Sequence, residues 1–445
     1  MSGKDLLKAI KTAAPQAKIA PDKCLPDYAV DGMTPKMAVS PATAEEVAAI
    51  LAAAASHGAA VITWGGGTGM GIGAPPQRYD IALDITRLDQ VVEHVAADLT
   101  VTVQAGIRLQ ELQDRLAEKG QYLPLDPPLP EKTTIGGILA ANAGGPWRYA
   151  HGGPRDWLLG LKVALPNGNV VKSGGRVVKN VAGYDMSKLF VGSFGSLGVI
   201  VEAAFKVMPV PPARASAVAS FKSCAAAARA GLALHSRNLS LESLELLNAK
   251  AAAAVLPSEI DLPRDGWLLL IAAAGNGTAV ERTLKELAAI CGGDGAMIAR
   301  LSPEQADATW QRLRGFYLPA EKEESFLLRA SLLPSQIASF AESTQSLAKE
   351  KGLSLQLAAW LGLGSVYVLL RSDGRPLNES DILAAMRNLT RGLGGYLVVE
   401  GCPAFAKRQL DVWGQAGPDT ALMAKIKGQL DPRGTLSPGR FLGGL

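Results

Sequence analysis

The stretch Trp64–Gly73, WGGGTGMGIG, has the composition of a phosphate-binding loop, because six of its ten residues are glycine. Glycine costs backbone entropy on folding, and it is kept where the backbone must approach another group closely or adopt a positive φ. An apolar run, Val61–Thr63, precedes the stretch and predicts a short buried strand. A strand that ends in a loop of bare backbone N–H groups can cradle a phosphate or pyrophosphate.

The spacing Gly69-x-Gly71-x-x-Ala74 imitates a dinucleotide-binding fingerprint, but the residues that follow exclude a Rossmann site. Such a site needs a helix directly after the glycines, because the pyrophosphate binds at the N-terminus of that helix. Here Pro75–Pro76 follow, and a strand is predicted to begin near Ile81. A Walker A loop is excluded as well, since the loop lacks Gly-Lys-Ser/Thr. A glycine-rich turn without a ligand remains the alternative.

A second glycine-dense segment, TTIGGILAANAGG, spans Thr133–Gly145. Two such segments could hold one long ligand between them, which favours a ligand site over a bare turn. A third glycine-punctuated run spans Gly192–Pro209 and ends in a predicted strand.

Composition describes an ordinary globular protein of two domains, with 445 residues, 48% apolar and 19% charged residues. The net charge of +4 and the absence of a basic cluster argue against nucleic acid as a partner. The four cysteines form no CxxC pair, so we expect no metal or iron–sulfur site within the chain. The N-terminus lacks the apolar core of a secretory signal. The sequence predicts a cytoplasmic protein, with peripheral attachment to the inner membrane through partners as an alternative.

The predicted elements that would position these glycines change in character near residue 213. Before it, Thr43 begins a predicted amphipathic helix, Leu109–Lys119 forms another, and Pro166-Asn167-Gly168 joins a hairpin. After it, strand-like and helical runs alternate, which predicts an α+β domain on an antiparallel sheet. The predicted division is an N-terminal extension 1–30, a ligand-binding domain 31–212, a cap domain 213–420 and a returning segment 421–445.

Seven sequence blocks occur in the order found in one flavoprotein family, and they span about Val39 to Pro209. The blocks are VSPATAEEVAAIL, WGGGTGMGIG, LDITRLD, VTVQAG, DPPLPEKTTIGGILAANAGG, RDWLLGLKVALPNGNVV and VGSFGSLGVIVEAAFKV. They resemble the FAD-binding domain of the vanillyl-alcohol oxidase and p-cresol methylhydroxylase (PCMH-type) flavoproteins. GGRVVKNVAGYDMSKL is most similar to the FAD-binding subunit of bacterial glycolate oxidase. LDPRGTLSPGR resembles the family's terminal DPxGxxNPGR, with Ser437 in place of asparagine.

The resemblance implies FAD as cofactor and an α+β fold, in which a two-part PCMH-type domain precedes a cap domain with an antiparallel sheet. The first loop would wrap the pyrophosphate through backbone N–H groups, the second segment would line its other side and the ring, and the third run would bond the flavin or adenine end. The implied cofactor-binding residues are Trp64, Gly65, Gly66, Gly67, Thr68, Gly69, Met70, Gly71, Thr133, Thr134, Ile135, Gly136, Gly137, Asn142, Gly144, Gly145, Gly195, Gly198, Val199 and Ile200, with Lys179 and Asn180 from the glycolate-oxidase block. For Lys179, Asn180 and Tyr184, a structural turn is an equally good interpretation.

Some relatives attach the flavin covalently through a histidine. Of the four histidines here, only His151 lies among the flavin-binding blocks, and a lone histidine is more often a hydrogen-bonded structural residue. We therefore predict non-covalent FAD.

Oxidation of a 2-hydroxy acid at a flavin needs a cation for the carboxylate and a base for the hydroxyl proton. Related catalytic flavoproteins carry HxGDGNxH in the second domain, whereas this chain has no histidine after His235. CGGDGAMI echoes the motif without its histidines and predicts a turn. An arginine could bind the carboxylate, and the candidates are Arg148, Arg155, Arg312, Arg314 and Arg440. The chosen catalytic candidates are Arg148, Arg314 and Tyr317, with Trp310 beside them. The alternative is that the two aromatic residues belong to the core and the arginines are solvated.

Two functions follow from these residues. In the first, the chain is an FAD-binding subunit of a glycolate-oxidase-like complex, beside a catalytic flavoprotein subunit and an iron–sulfur subunit, and takes part in electron transfer from a small 2-hydroxy acid. In the second, it is a self-sufficient FAD-dependent dehydrogenase with a non-histidine active site.

Overall fold

The computed structural model describes residues 3–175, 184–318, 325–372 and 378–445, and these form two compact units. Unit 1 draws on Met1–Gly144, Gly153–Val210 and Gln415–Leu445. Unit 2 draws on Gly145–Gly152 and Pro211–Gly414. The domain limits stated above remain a prediction. The short piece Gly145–Gly152 groups with unit 2, and the limits at Val210 and Gln415 lie near the predicted limits at 212 and 420 without coinciding with them.

The helices and strands follow one another along the whole chain. The strands are β1 (Lys18–Ile19), β2 (Met37–Ser40), β3 (Val61–Trp64), β4 (Ile81–Asp84), β5 (Val91–Val95), β6 (Thr100–Gln104), β7 (Gln121–Tyr122), β8 (Leu158–Ala164), β9 (Val170–Gly174), β10 (Val199–Lys206), β11 (Met208–Pro209), β12 (Ala213–Phe221), β13 (Leu241–Asn248), β14 (Trp267–Gly275), β15 (Met297–Arg300), β16 (Ser325–Ser331), β17 (Leu353–Trp360), β18 (Ser365–Ser372) and β19 (Tyr396–Gly401). The α-helices are α1 (Gly3–Ala13), α2 (Ala44–Ser56), α3 (Leu109–Ala117), α4 (Ile135–Ala141), α5 (Arg148–His151), α6 (Pro154–Trp157), α7 (Ser187–Phe190), α8 (Cys224–His235), α9 (Ala249–Val255), α10 (Gly277–Gly293), α11 (Pro303–Phe316), α12 (Ile337–Glu350), α13 (Glu379–Gly392), α14 (Ala404–Lys407) and α15 (Thr420–Leu430). Short 3₁₀ helices span Asp22–Tyr28, Ala96–Asp98, Pro334–Gln336 and Leu442–Gly444.

Unit 1 contains two main sheets that share one hydrophobic core. The first has the order β1-β2-β4-β3, with β2 and β3 parallel to β4. The second has the order β5-β6-β10-β8-β9 and is antiparallel, and β7 pairs with β11 separately. The core includes Leu51 of α2, Leu112 of α3 and Phe205 of β10, each with no exposed surface.

Local sequence signals account for the helices that flank the first glycine loop. The Thr43 hydroxyl accepts a hydrogen bond from the Glu46 amide at 3.1 Å and so caps α2. Leu109, Leu112 and Leu116 repeat at helical spacing in α3, and all three are buried, as the sequence predicted. The predicted hairpin is confirmed, because β8 pairs with β9 in antiparallel register from Gly160–Gly174 to Ala164–Val170.

Unit 2 is built on one antiparallel sheet of the order β15-β12-β14-β13-β17-β18-β16-β19. Successive side chains of a strand point to opposite faces, so each helix can be assigned to a face by the residues it contacts. Helices α9 and α11 pack on the face that carries Leu268 and Leu270 of β14. Helix α8 packs on the opposite face, where a Cβ on Gly231 would meet Leu269 at 3.3 Å. The predicted α+β class with an antiparallel sheet in the C-terminal part is confirmed.

Candidate functional site

The first glycine loop presents a row of backbone donors. Within the described residues, the N–H groups of residues 65–69 donate to no protein acceptor, although Gly65 and Gly67 to Gly69 are only partly exposed. Gly67 has φ +74, a conformation that glycine adopts without strain. A row of backbone N–H groups that bond no protein acceptor along a glycine loop can bind an anionic ligand.

The first loop lies directly against the second glycine segment, as the sequence predicted for a shared ligand. A Cβ on Gly66 would lie 1.8 Å from the Lys132 carbonyl oxygen, and a Cβ on Gly65 would lie 2.2 Å from Thr134 Oγ1. The Thr133 hydroxyl donates to the Pro128 carbonyl at 2.9 Å, so its partner Thr68, 3.0 Å away, must be the donor to it. Glycine is required here because the two backbones touch.

Not all of the second segment is free to bind a ligand. The Ile135 N–H donates to the Ile107 carbonyl at 3.0 Å, and the Gly136 N–H donates to the Ala105 carbonyl at 2.7 Å. The Gly137 N–H lies 3.3 Å from the capping hydroxyl of Thr134. These amides therefore fix α4 in place. Their place along the other side of the pyrophosphate and the ring remains a prediction, and any contact there would be made without these three amides.

The third glycine run joins the same region of unit 1. Gly192 and Phe194 donate their N–H groups to the Leu139 and Ala140 carbonyls of α4, both at 2.9 Å. Asn142 ends α4 in a left-handed conformation, with φ 49. Gly144 follows as the last residue of this part of unit 1, and Gly145 begins the piece that groups with unit 2.

Gly195 lies between two hydroxyl groups at the end of β3. With φ +68, its Cβ position would be 3.7 Å from Ser437 Oγ and 3.8 Å from Thr63 Oγ1. The Thr63 hydroxyl is buried and has no hydrogen-bond partner among the described residues. An orphaned buried hydroxyl beside a glycine is a further sign that a ligand completes this region.

The remaining predicted FAD ligands have other surroundings. A Cβ on Gly198 would lie 2.5 Å from Val163, so this glycine lets β10 pack on β8. The side chains of Val199 and Ile200 are buried in the core of unit 1. Lys179 and Asn180 lie outside the described residues. The roles of these residues toward FAD remain predictions.

Unit 2 carries buried charged groups on the sheet face that α5 contacts. Glu242, at the start of β13, is 4% exposed and accepts from Arg214 Nε at 3.3 Å and Nη2 at 3.2 Å. His151 Nε2 lies 3.8 Å from the same carboxylate. The Arg214 guanidinium also lies over the Trp147 ring, 4.9 Å from its centre. Buried charges are costly unless paired, and their clustering on one face marks it as a candidate substrate site.

Tyr149 fixes α5 on this face. Burial raises its pKa to about 12, so the hydroxyl stays protonated, and it shares a hydrogen bond with His235 Nδ1 at 3.0 Å. Its ring fills the space where Gly362 would carry a Cβ, at 2.4 Å. The neighbouring Arg148 is half-buried, and its charge acts on Tyr367, where it opposes the rise in pKa caused by burial.

Tyr317 is placed in the core of unit 2, which corrects its predicted role as a base. Its ring packs on Tyr367 and Trp360 with centroid distances of 4.5 and 5.4 Å. Its hydroxyl donates to Glu245 Oε2 at 3.0 Å. Burial, followed by the Glu245 charge, raises the pKa of Tyr317 well above its usual value. A tyrosine in these surroundings stays neutral and cannot accept a substrate proton.

The other members of the predicted arginine constellation are spread along α11. Trp310 Nε1 donates to Ser216 Oγ of β12 at 3.0 Å, so this residue anchors the helix to the sheet. Arg314 is half-buried in the last turn, and its carbonyl accepts from the Tyr317 amide at 3.2 Å. Its role in catalysis remains a prediction.

Comparison with known families identifies the cofactor. A profile described as the FAD binding domain matches residues 35–174, and a profile described as the C-terminal domain of FAD linked oxidases matches residues 210–441, over half of the chain. The chain belongs to the FAD-linked oxidase family. It is an FAD-dependent oxidoreductase, which confirms the predicted cofactor and reaction type.

Two proteins similar to this FAD-linked oxidase are named for the oxidation of glycolate or D-lactate. Glycolate oxidase subunit GlcD of Bacillus subtilis is 28% identical over 419 residues, which cover 92% of this chain and 89% of that protein. D-lactate dehydrogenase of Archaeoglobus fulgidus is 28% identical over 444 residues and 98% of each chain. The crystal structure of p-cresol methylhydroxylase has a TM-score of 0.74 at 17% identity and covers 98% of this chain and 96% of that one, so it shows the fold.

The structure of the FAD-linked oxidase also shows contacts and buried charges that the sequence did not reveal. Arg440 is 4% exposed, and its Nη2 donates to the Met70 and Ile72 carbonyls of the first loop. Glu242 and Glu245 are buried, although they belong to a strand that is otherwise mostly apolar. Charged residues within an apolar strand are rarely buried without a partner, and this pattern could have marked them as candidates from the sequence. No helix in the described part of the chain has the length and apolar content that a membrane span requires.

Proposed function

We propose that this FAD-linked oxidase is the FAD-binding subunit of a glycolate-oxidase-like complex. It would take part in electron transfer from a small 2-hydroxy acid, beside a catalytic flavoprotein subunit and an iron–sulfur subunit. Three features support this proposal. They are the first glycine loop of unit 1 with its backbone N–H donors, the similarity to a protein named glycolate oxidase subunit, and the glycolate-oxidase block GGRVVKNVAGYDMSKL.

The observation that carries the proposal is the missing histidine motif of the second domain. The sequence has no histidine after His235, and so it lacks HxGDGNxH. The similar segment CGGDGAMI spans the end of α10, the turn after it and the first two residues of β15. Within it Cys291 is buried, and Asp294 pairs with Arg229 at 3.2 Å on the surface. This segment therefore has a structural role.

The residues of unit 1 fit the cofactor that the family implies. The free N–H groups of residues 65–69 would hold the pyrophosphate, and the Thr63 and Ser437 hydroxyls beside Gly195 would satisfy another polar part. When bound, FAD accepts the two electrons that leave the substrate carbon. The protein supplies orientation and a set of fixed donors, which lowers the cost of binding a flexible dinucleotide.

A self-sufficient dehydrogenase is the second candidate, and the charged face of unit 2 favours it. Arg148 could bind a carboxylate, and His151 Nε2 lies 3.8 Å from the Glu242 carboxylate, close enough for an ion pair once the ring is protonated. Unlike the self-sufficient enzyme that the sequence predicted, whose active site has no histidine, this candidate would use His151 to take the hydroxyl proton in place of the absent motif. This candidate predicts activity in the isolated chain.

Anaerobic mixing of the isolated FAD-loaded chain with glycolate or D-lactate separates the two candidates. We expect the visible absorbance of the oxidised flavin to remain, because the chain lacks the family's catalytic histidines. Dithionite, added last, should bleach the flavin and so prove that it can be reduced. Rapid bleaching of the flavin by either acid would overturn the subunit proposal. If the His151→Asn variant then kept its normal FAD content but was no longer bleached by the acid, the second candidate would be supported.

A further inference from the structure

Residues 427–440, called here the C-terminal clasp, connect the end of the chain to the FAD-binding loops of unit 1. The clasp returns beside β3, where the Val61 N–H donates to the Thr435 carbonyl at 2.7 Å and the Ser437 N–H donates to the Val61 carbonyl at 2.9 Å. Farther along, the Ala74 N–H donates to the Arg440 carbonyl at 3.1 Å. The clasp thus lies along the strand that leads into the first loop and along the residues that leave it.

The Arg440 side chain holds the first glycine loop from its far side. Its Nη2 donates to the Met70 carbonyl at 2.8 Å and the Ile72 carbonyl at 2.7 Å, while Nη1 lies 3.8 Å from the Asp31 carboxylate. Hydrogen bonds from a charged donor are stronger than neutral ones, more so when buried. These hydrogen bonds use only carbonyl oxygens of the loop, so they leave the N–H groups of residues 65–69 available for a ligand.

Lys427 holds the third glycine run in a similar way. Its ammonium donates to the Ser196 carbonyl at 2.8 Å, the Leu436 carbonyl at 2.8 Å and Asp431 Oδ2 at 2.6 Å. These three acceptors match the three protons of the ammonium group. Asp431 in turn accepts from the amides of Thr435 and Leu436 at 2.9 and 2.8 Å. The clasp is therefore rigid between its two contacts with the loops.

We propose that the C-terminal clasp sets how tightly FAD is retained, with Arg440 and Lys427 as positioning residues. The glycines of these loops have no side chains to fix them, so without the clasp their donors would sample more conformations. Fixing them before the cofactor arrives removes that entropy from the cost of binding. The clasp also brings the Ser437 hydroxyl to the site, 3.7 Å from the Cβ position of Gly195. FAD release would then require the clasp to open.

Arg440→Gln tests the proposal, and Arg433→Gln is its matched control. Both arginines lie in the clasp and donate to backbone carbonyls, but Arg433 bonds the Ala55 carbonyl of α2, away from the glycine loops. We expect Arg440→Gln to raise the Kd for FAD by about 10- to 100-fold, the effect of losing bonds from a charged donor. Arg433→Gln should change it less than about threefold. Titration of the apoproteins with FAD, followed by flavin fluorescence, measures both.

Arg440→Lys keeps the positive charge near Asp31, and it is the variant to test if Arg440→Gln does not fold. Its single nitrogen cannot reproduce the planar fork of a guanidinium, so we expect an FAD affinity between that of the wild type and that of Arg440→Gln. Circular dichroism of the apoproteins separates loss of fold from loss of loop geometry. Folded Arg440 variants with an FAD Kd equal to that of Arg433→Gln would overturn the proposal.

Limited trypsin digestion of the unmodified protein is an independent test. We expect trypsin to cleave after Arg433 and Arg440 only when the clasp is open. If opening expels FAD, then added FAD slows this cleavage by the factor 1 + [FAD]/Kd. At an FAD concentration of about ten times Kd, we expect roughly tenfold slower release of the peptides that end at these residues. Equal rates with and without FAD would show that the clasp opens independently of the cofactor and would contradict the proposal.

Discussion

Replacement of Gly66 by alanine is expected to yield protein that purifies without FAD. The new Cβ would lie 1.8 Å from the Lys132 carbonyl oxygen and 3.3 Å from the Thr133 nitrogen, both of which are backbone atoms. Neither can rotate away, so the first loop must separate from the second segment. That movement displaces the free N–H donors of residues 65–69. Loss of two hydrogen bonds to a charged phosphate, about 3 kcal/mol, would raise the Kd for FAD about 100-fold.

Two glycine variants make this test specific. Gly392→Ala at the end of α13 meets nothing within 4 Å and should leave FAD binding unchanged. Gly69→Ala also meets no protein atom within 4 Å, so any loss of FAD there reports on space that the cofactor itself needs. The ratio of flavin to protein absorbance after purification gives the first comparison, and titration of apoprotein gives the Kd. Full FAD occupancy in Gly66→Ala would show that the loop is not the pyrophosphate site.

Asp431→Ala is expected to be the most destabilising single change in the C-terminal clasp. Asp431 is 2% exposed and accepts from Lys427 Nζ and from two clasp amides. Its removal leaves a buried ammonium without its counter-ion, which typically costs about 3–5 kcal/mol. Urea unfolding of the apoprotein measures the loss, and hydrogen exchange of residues 427–440 locates it.

A surface pair with the same spacing provides the control for Asp431. Glu111 and Arg115 also lie one helical turn apart at 3.1 Å, but their side chains are 44% and 54% exposed. Glu111→Ala should cost no more than about 0.5 kcal/mol, because water screens and solvates both partners. If the two alanine variants lost similar stability, the buried pair would not be the source of the effect.

The loss in Asp431→Ala should depend on pH through Lys427. Burial lowers the pKa of Lys427 below its usual 10.5, and Asp431 opposes that shift, so the variant lowers the pKa further. The folded state then binds fewer protons than the unfolded state at any pH between the two pKa values. Stability therefore rises with pH in this range. We expect the difference from the wild type to shrink as the pH increases from 7 toward 10, and a constant difference would argue against Lys427 as its cause.

Local chemistry in the sequence was enough to predict much of unit 1. The Thr43 cap, the leucine spacing of α3 and the hairpin after Ala164 depend on neighbouring residues, and all three occur as expected. The contact between Gly66 and Lys132 was predicted only as a pairing of two glycine segments. The family resemblance supplied the cofactor, because glycine spacing alone also permitted a bare turn.

What the sequence did not reveal depends on contacts between distant residues. The segment WQRLRGFYLP could place Tyr317 in a core or at a site, and only its packing on Trp360 decided for the core. Arg440 bonds carbonyls of residues 370 and 368 positions earlier, and carbonyls carry no sequence signature. The amides of Ile135 and Gly136 donate to the carbonyls of Ile107 and Ala105, which come from another loop, and nothing in the sequence indicated these partners.

The path of the chain through the two units has a consequence for biosynthesis. The chain passes between the units four times, after Gly144, Gly152, Val210 and Gly414, and unit 1 is completed only by Gln415–Leu445. The Val61 amide finds its partner in Thr435, so the strand beneath the glycine loop is completed only after unit 2 has been synthesised. During that time the nascent chain carries a half-built cofactor domain, which must be kept from aggregating.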